Sequence, residues 1–332
     1  MDVIVDLQYG DCGKGKVAHY LAHNSSYTHV LRYNGGANAG HTIYHNGKKF
    51  ITQQIPAGVF YGIKSIVGSG CVVNAEQFFK EIKMLEDAGI DTKGNIFIAE
   101  NAHVITQAHK DEDKQKGAAI GTTGSGNGPA YRDKYGRTGV RAKDVPELQS
   151  YAIDLYKEWF TPKGDVHVLA EGAQGFGLDI DWGDYPFVTS SHCTTAGALL
   201  NGVPPTAIRD VWGVAKIYET YVGSKKFQPE GEVFKKIATA GEEFGAVTGR
   251  PRQTNWMDMQ TLERAIRMNG VTHIVFSKVD VLRSVGEWAI IDEGKVVTFE
   301  SEKAMTDFVK ERLVAIGIKT ENTFFSESKE TI

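Results

Sequence analysis

Residues 10–16, Gly10-Asp11-Cys12-Gly13-Lys14-Gly15-Lys16, have the G-x-x-x-x-G-K spacing of a phosphate-binding loop. The apolar run 3–7 before it reads as a strand, and 17–22 after it reads as a helix. Backbone N–H groups of such a loop, with the positive end of the helix behind them, hold phosphates. Val17 stands where the loop usually places a Ser or Thr on magnesium, so a metal needs another ligand, and Asp11 stands in the same loop. A second glycine-rich stretch, residues 34–42, follows the strand-like run 29–33 and ends on His41. An imidazole after so permissive a loop suits a general acid or a cationic clamp on a transferring group.

Residues 120–129, rich in Gly, Thr and Ser, have the composition of a phosphate nest. Glu171-Gly172-Ala173-Gln174-Gly175 follows the strand-like run 166–170, with Thr189-Ser190-Ser191 beyond it. Loops after strand ends are where a doubly wound sheet places ligands. In Gly249-Arg250-Pro251-Arg252, the proline keeps Arg250 extended or in a turn. Arginines two apart in extended chain project to one side. Two guanidinium forks suit a dicarboxylate, although a second phosphate clamp or a solvated basic loop has the same pattern. Ser277-Lys278-Val279-Asp280 closes the strand-like run 273–276 and resembles the [NT]KxD guanine reader of GTP-binding proteins.

These loops need a scaffold. Apolar runs at 3–5, 29–33, 65–67, 95–98, 166–169, 211–214 and 273–276 suit strands buried on both faces. Helical spacing recurs at 78–85, stopped by Gly89, at 262–268, stopped by Asn269-Gly270, and at 304–316, closed by Gly317. Alternating elements predict an α/β fold with a large, mostly parallel central sheet flanked by helices. No linker or composition shift breaks the chain, so residues 1–332 read as one large domain with functional loops.

Composition narrows the partners. The 332 residues carry 37 Lys+Arg against 41 Asp+Glu, a formal charge of −4, which offers no bulk attraction to nucleic acid or anionic lipid. Hydrophobic residues at 41% and charged residues at 23% exclude wholesale disorder. Cysteines at 12, 71 and 193 form no CxxC pair, which excludes a disulfide framework and disfavours a cysteine zinc site. No apolar run approaches 18 residues and no cleavable leader opens the chain, so a cytoplasmic protein, free of membrane, is expected.

Taken in order, GDxGKGK, NAGHT, IGTTGxGxGPAY, EGAQG, YPxVTSS, VTGRxR and KxD resemble the adenylosuccinate synthetase family from Val3 to about Leu282. The short chain looks like the compact archaeal and phage forms, with a P-loop-like fold. The resemblance implies a C–N bond-forming ligase. It uses GTP, with ATP or dATP as alternatives, and Mg²⁺ to join L-aspartate to the 6-position of a purine nucleoside 5′-monophosphate. The 6-oxygen is first phosphorylated, and the amine of aspartate then displaces phosphate.

By the same resemblance Asp11 takes the N1 proton and, with the Gly40 carbonyl, holds the metal. His41 donates to the 6-oxygen, and Gln174 joins this catalytic pair beside the base. Lys14, Gly15, Lys16, Gly40, Thr42, Lys278 and Asp280 surround the triphosphate. Asn38, Thr122, Thr123, Gln174, Thr189 and Val222 hold the monophosphate substrate. Arg137 matches an arginine supplied across a homodimer interface. Val247, Thr248, Arg250 and Arg252 hold aspartate, in agreement with the paired-arginine reading.

Two departures bear on substrate. Cys12 stands where the family has Glu, and no Thr-Gly-Pro signature is present in residues 324–329. The small Cys12, the opening Asp6-Leu7-Gln8-Tyr9-Gly10, the run 170–176 and His192-Cys193-Thr194 lean toward the phage branch that makes diaminopurine DNA. That branch accepts dGMP, yields N6-succino-2-amino-2′-deoxyadenylate, and would work in host cytoplasm. Retention of Asp11 leans back toward IMP and adenylosuccinate. The expectation is therefore dGMP first and IMP as the alternative. A nucleotide-binding regulator without turnover is the non-enzyme alternative, and a degenerate copy would have lost Asp11, His41 or the arginine pair.

Overall fold

The computed structural model describes residues 1–117, 121–162, 164–245, 249–327 and 332. Its scaffold is one nine-stranded sheet. In chain order the strands are β1 (Asp2–Asp6), β2 (His29–Arg32), β3 (Lys64–Val67), β4 (Ile96–Ala99), β5 (Ala152–Ile153), β6 (Val168–Glu171), β7 (Asp210–Lys216), β8 (His273–Ser277) and β9 (Thr323–Phe325). Across the sheet they run β9-β8-β7-β1-β6-β2-β3-β4-β5. Every neighbouring pair is parallel. All residues of β1, β2 and β6 are buried, as the continuous apolar runs predict for strands covered on both faces.

The order explains where ligands can go. From β1 the chain moves outward through β2, β3, β4 and β5, returns to insert β6 between β1 and β2, then builds β7, β8 and β9 on the other side. The direction of winding thus reverses around β1, and an open α/β sheet binds ligands outside the carboxyl ends of strands at such a switch point. Residues 7–16, 33–40 and 172–175 all leave carboxyl ends there.

Helices α1 (Lys14–Asn24), α2 (Ala75–Asp87), α3 (Gln107–Lys116) and α4 (Asn127–Gly136) cover or extend the first half. Asn74 caps α2 by accepting from Gln77 N at 3.3 Å, and Thr106 and His109 form a capping box on α3. The expected helices near 262–268 and 304–316 are Met259–Asn269, closed by Gly270 at φ 64°, and Glu302–Ala315, which ends just ahead of Gly317.

Two smaller sheets frame the site. Tyr218–Tyr221, Gln253–Asp258, Ala289–Asp292 and Lys295–Thr298 form one of them. His41–His45 and Lys48–Thr52 form a hairpin. Asn46 and Gly47 turn that hairpin with φ of 49° and 71°, the two positive values a type I′ turn requires. No described helix is long and apolar enough to cross a membrane.

Candidate active site

The floor of the site begins at Asp6, the last residue of β1. Its Oδ1 accepts from Gln8 N (3.0 Å) and Gly10 N (3.1 Å), and Oδ2 from Cys12 N (3.1 Å) and Lys14 Nζ (2.9 Å). One carboxylate therefore shapes the whole glycine loop. Lys14 also donates to Gln174 O at 2.6 Å, which joins the loop after β1 to the loop after β6. Gly175 must lack a side chain, because a Cβ there would fall 2.6 Å from Asp6 Oδ1. Asn34 completes the floor by exchanging bonds with Ala173, Nδ2 to O at 3.2 Å and N to Oδ1 at 2.8 Å.

Arg32 and Glu171 are register partners on β2 and β6, and they pair at 2.9 Å. His41 lies against both, with its ring 2.7 Å from Arg32 Nη1 and its Nδ1 bonded to Glu171 Oε1. Burial and the Arg32 charge push the His41 imidazole down to about 4, so it is neutral at pH 7. Burial opposes the charge on Glu171, yet the ring, Arg32 and the Ala57 N–H hold its carboxyl low.

Above this floor opens a cavity of about 360 Å³, a volume suited to a small ligand. Asp11, Asn38, Gly40, Thr122, Thr123, Gln174, Thr189, Val222 and Arg250 all line it. Asp11 and Gln174 adopt left-handed backbone angles, φ 58° and 55°, an uncommon conformation that clusters at functional sites. Gln174 Nε2 donates to Asn38 Oδ1 at 3.0 Å, and Arg250 Nη1 to Gly121 O at 2.9 Å.

A buried charge network reaches Asp11 from behind. Arg252 donates to Asp11 Oδ2 from Nε (3.0 Å) and Nη2 (2.7 Å), and to Glu243 Oε2 from Nη1 (2.6 Å). Glu243 also takes Lys216 Nζ at 2.9 Å. Burial works against the Asp11 charge, but Arg252, Lys216 and Lys14 outweigh it and keep the carboxylate ionised.

The triphosphate candidates gather beside the cavity. Gly13 caps α1 without a side-chain bond, and Ser277 Oγ at the end of β8 donates to Cys12 O at 2.8 Å. That contact sets Lys278 and exposed Asp280 next to the glycine loop. Gly15 packs on the hairpin start, where a Cβ would sit 2.9 Å from His41 Cβ and 3.2 Å from Thr42 O. Lys16 donates to Ser326 Oγ just after β9, so the segment lacking a Thr-Gly-Pro signature still reaches the loop. Burial brings the Lys16 ammonium down to about 8, partly offset by Asp280.

Several of the expected site residues are held elsewhere than on the cavity wall. The His41 ring is 6% exposed and does not line the cavity, because Arg32 and Glu171 satisfy it. Lys14 is equally buried, held by Asp6 rather than offered to a ligand. Arg250 lines the cavity, and Arg252 is bonded to Asp11 on its wall and to Glu243 behind it. The Cys12 thiol is buried outside the cavity lining and donates to Gln8 Oε1 at 3.1 Å. Exposed Arg137 ends α4 at φ 64° outside the cavity. Val247 and Thr248 lie outside the described residues.

Sequence reasoning missed Asp6, Glu243 and Lys216. A lone acidic residue at a strand end carries no pattern, but Lys216 just after the apolar run 211–214 is a signal of a charge that needs a buried partner.

Oxygen donors fit a hard cation here: Asp11 and the Gly40 carbonyl line one cavity, and Asp11 is held ionised. Asp179, Asp181 and His192 are a cluster of three potential metal-ligating side chains among the described residues. Asp179 is already engaged by three backbone N–H groups, those of Asp181, Trp182 and Cys193.

Comparison with known proteins supplies relatives. The family model for adenylosuccinate synthetase matches residues 3–161 and 147–308. An adenylosuccinate synthetase from Chlorobium chlorochromatii is 40% identical over 86% of this chain and 77% of that protein. One from Bacteroides fragilis is 39% identical over 85% and 78%. Among solved structures, a fully ligated adenylosuccinate synthetase from Plasmodium falciparum superposes with a TM-score of 0.84 at 25% identity, covering 99% and 97% of the two chains. A succinoaminodeoxyadenylate synthetase from cyanophage S-2L, bound to dGMP and dATP, shares the fold with a TM-score of 0.76 at 23% identity, covering 99% and 93%.

Proposed function

The chain belongs to the adenylosuccinate synthetase family of C–N ligases, and we propose that it joins L-aspartate to the 6-position of a purine nucleoside 5′-monophosphate. The observation that carries this reading is the meeting of Asp11, Asn38, Thr123, Gln174, Thr189 and Arg250, from separate loops, in one cavity. Asn38, Thr122, Thr123 and Thr189 hold the 5′-phosphate, Val222 the sugar and Gln174 the base. Asp11, kept ionised by Arg252, accepts the N1 proton, which raises charge on the 6-oxygen for phosphorylation.

His41 steadies that oxygen. In this reading its ring turns from Arg32 and Glu171 toward the nucleotide that Gly40 beside it already faces. The α1 terminus, Lys16, Thr42, Lys278 and Asp280 hold GTP. Val247, Thr248, Arg250 and Arg252 hold aspartate, whose carboxylate exchanges for Asp11 on Arg252. Magnesium, taken by Asp11 and Gly40, draws charge from the transferring phosphoryl group when bound. Exposed Arg137, with Tyr135 and Leu200 exposed by 63% and 57%, supports a homodimer that shares the arginine.

IMP becomes the favoured substrate. Of the four features that leaned toward dGMP, one, the small Cys12, lies outside the cavity. Asp11, the residue whose retention leaned toward IMP, lines the cavity and is held ionised. A second reading, dGMP, keeps support from Gly10, Gly121 and Gly245 in the lining, which leave room for a 2-amino group. Parallel assays with magnesium, aspartate, GTP or ATP, and IMP or dGMP should yield adenylosuccinate from IMP. Product from dGMP alone would reverse the order, and no product from either would end the proposal.

A further inference from the structure

Three aromatic rings close around the ammonium of Lys225. Nζ lies 4.9 Å from the ring centroid of Tyr9, 5.4 Å from Phe227 and 5.5 Å from Tyr221, within reach of a cation–π interaction with each. The rings also pack on one another, Tyr9 on Phe227 at 5.0 Å and Tyr9 on Tyr221 at 5.7 Å, both near edge-on. Asp184 completes the enclosure: it pairs with Lys225, and its Oδ2 accepts from the Tyr9 hydroxyl at 2.9 Å. Burial and the nearby Glu219 and Asp184 push the Tyr9 hydroxyl upward, so it remains a donor.

The surroundings are built for this arrangement. A Cβ on Gly177 would fall 2.5 Å from the Tyr9 ring, and one on Gly223 would fall 2.2 Å from the Tyr221 hydroxyl. Gln253, next to Arg252, accepts from Phe227 N at 2.8 Å and donates to Lys225 O at 2.7 Å.

Each segment that meets at Lys225 runs into a cavity wall. Tyr9 precedes Gly10 and Asp11, Asp184 leads to Thr189, and Tyr221 adjoins Val222. Tyr9 and Tyr221 themselves line the cavity, whereas Lys16, Lys278 and Ser326 do not.

We propose that Lys225 is a positioning residue for the monophosphate substrate. Its caged ammonium, with Asp184, draws three loops remote in sequence into one wall of the cavity. Naming the substrate rests on the functional reading above; the drawing together of the loops does not.

Lys225→Met keeps the aliphatic stem and removes the charge, and Lys225→Arg restores a cation that stacks on aromatic rings. Lys225→Met should raise the KM for the purine monophosphate about tenfold, the scale of one lost charged contact. Its kcat and the KM values for aspartate and triphosphate should stay within about twofold, and Lys225→Arg should recover most of the loss.

In ligand-free protein, Lys225→Met should speed amide hydrogen exchange in 8–11, 183–189 and 220–228 together. An unchanged monophosphate KM, or faster exchange confined to the neighbourhood of residue 225, overturns the proposal. If the wild type forms no product from IMP or dGMP, the functional reading fails, and the exchange pattern still decides the cage.

Discussion

The two lysines of the glycine loop sit two residues apart and belong to different parts of the molecule. Lys14 points down into the floor, where Asp6 and Gln174 take all its reach. Lys16 points along the rim to Ser326, in the field of Asp280 and Lys278. The floor, with Arg32, Glu171 and the neutral His41, is a set of buried polar groups each matched by a partner. The rim, with Lys16, Asp280 and Arg250, is less buried, and Arg250 lines the cavity. Floor charges shape the backbone, and rim charges are the ones proposed to meet ligand. A buried ion pair is weak evidence for stability as such, but breaking one side of it is costly.

His41 is the sharpest test of that division, because its geometry is floor and its proposed role is chemical. His41→Ala should reduce turnover by roughly 10²- to 10⁴-fold, the usual contribution of a positioned acid. A variant with near-normal kcat and a lowered melting temperature would make His41 part of the floor alone.

Next comes the lysine pair. Lys14→Met should destabilise by about 3–5 kcal/mol by stranding Asp6, read as a shift in denaturant midpoint. Lys16→Met should leave that midpoint in place and raise the triphosphate KM about tenfold. Equal loss of stability in both variants would erase the contrast.

The smallest effect is in pH. Lys16 titrates near 8 in the folded protein and near 10.4 when unfolded. Between these values the unfolded chain binds more protons, so this group makes folding stability rise with pH. Triphosphate affinity should move the other way, falling as pH passes about 8 while Lys16→Arg stays flat. A wild-type KM that is level across this range would take Lys16 out of the phosphate site.

Much of the scaffold was legible because buried parallel strands are written as apolar runs, and all seven such runs became strands of the central sheet. The insertion of β6 between β1 and β2 was not, since pairing order is set by long-range packing that no local window contains. The hairpin at 41–52 was readable from Asn46-Gly47 between alternating residues, and was overlooked beside the glycine-rich loop before it.

At the site, residue types and loop order marked which segments converge, and the cavity brings most of the marked residues together. Which way each side chain faces was hidden. Lys14, Cys12 and Arg252 are captured by Asp6, Gln8 and Glu243, partners far too ordinary in sequence to announce themselves.

The late placement of β6 also governs how the molecule is made. During synthesis β1 and β2 leave the ribosome early, yet neither pairs with the other; β2 can pair with β3, while β1 waits for residues 168–171 and 210–214. Contacts so remote along the chain are slow to form and leave strand edges open meanwhile. A nascent or truncated amino-terminal half would own the glycine loop and still lack the loop after β6, to which Lys14 ties it.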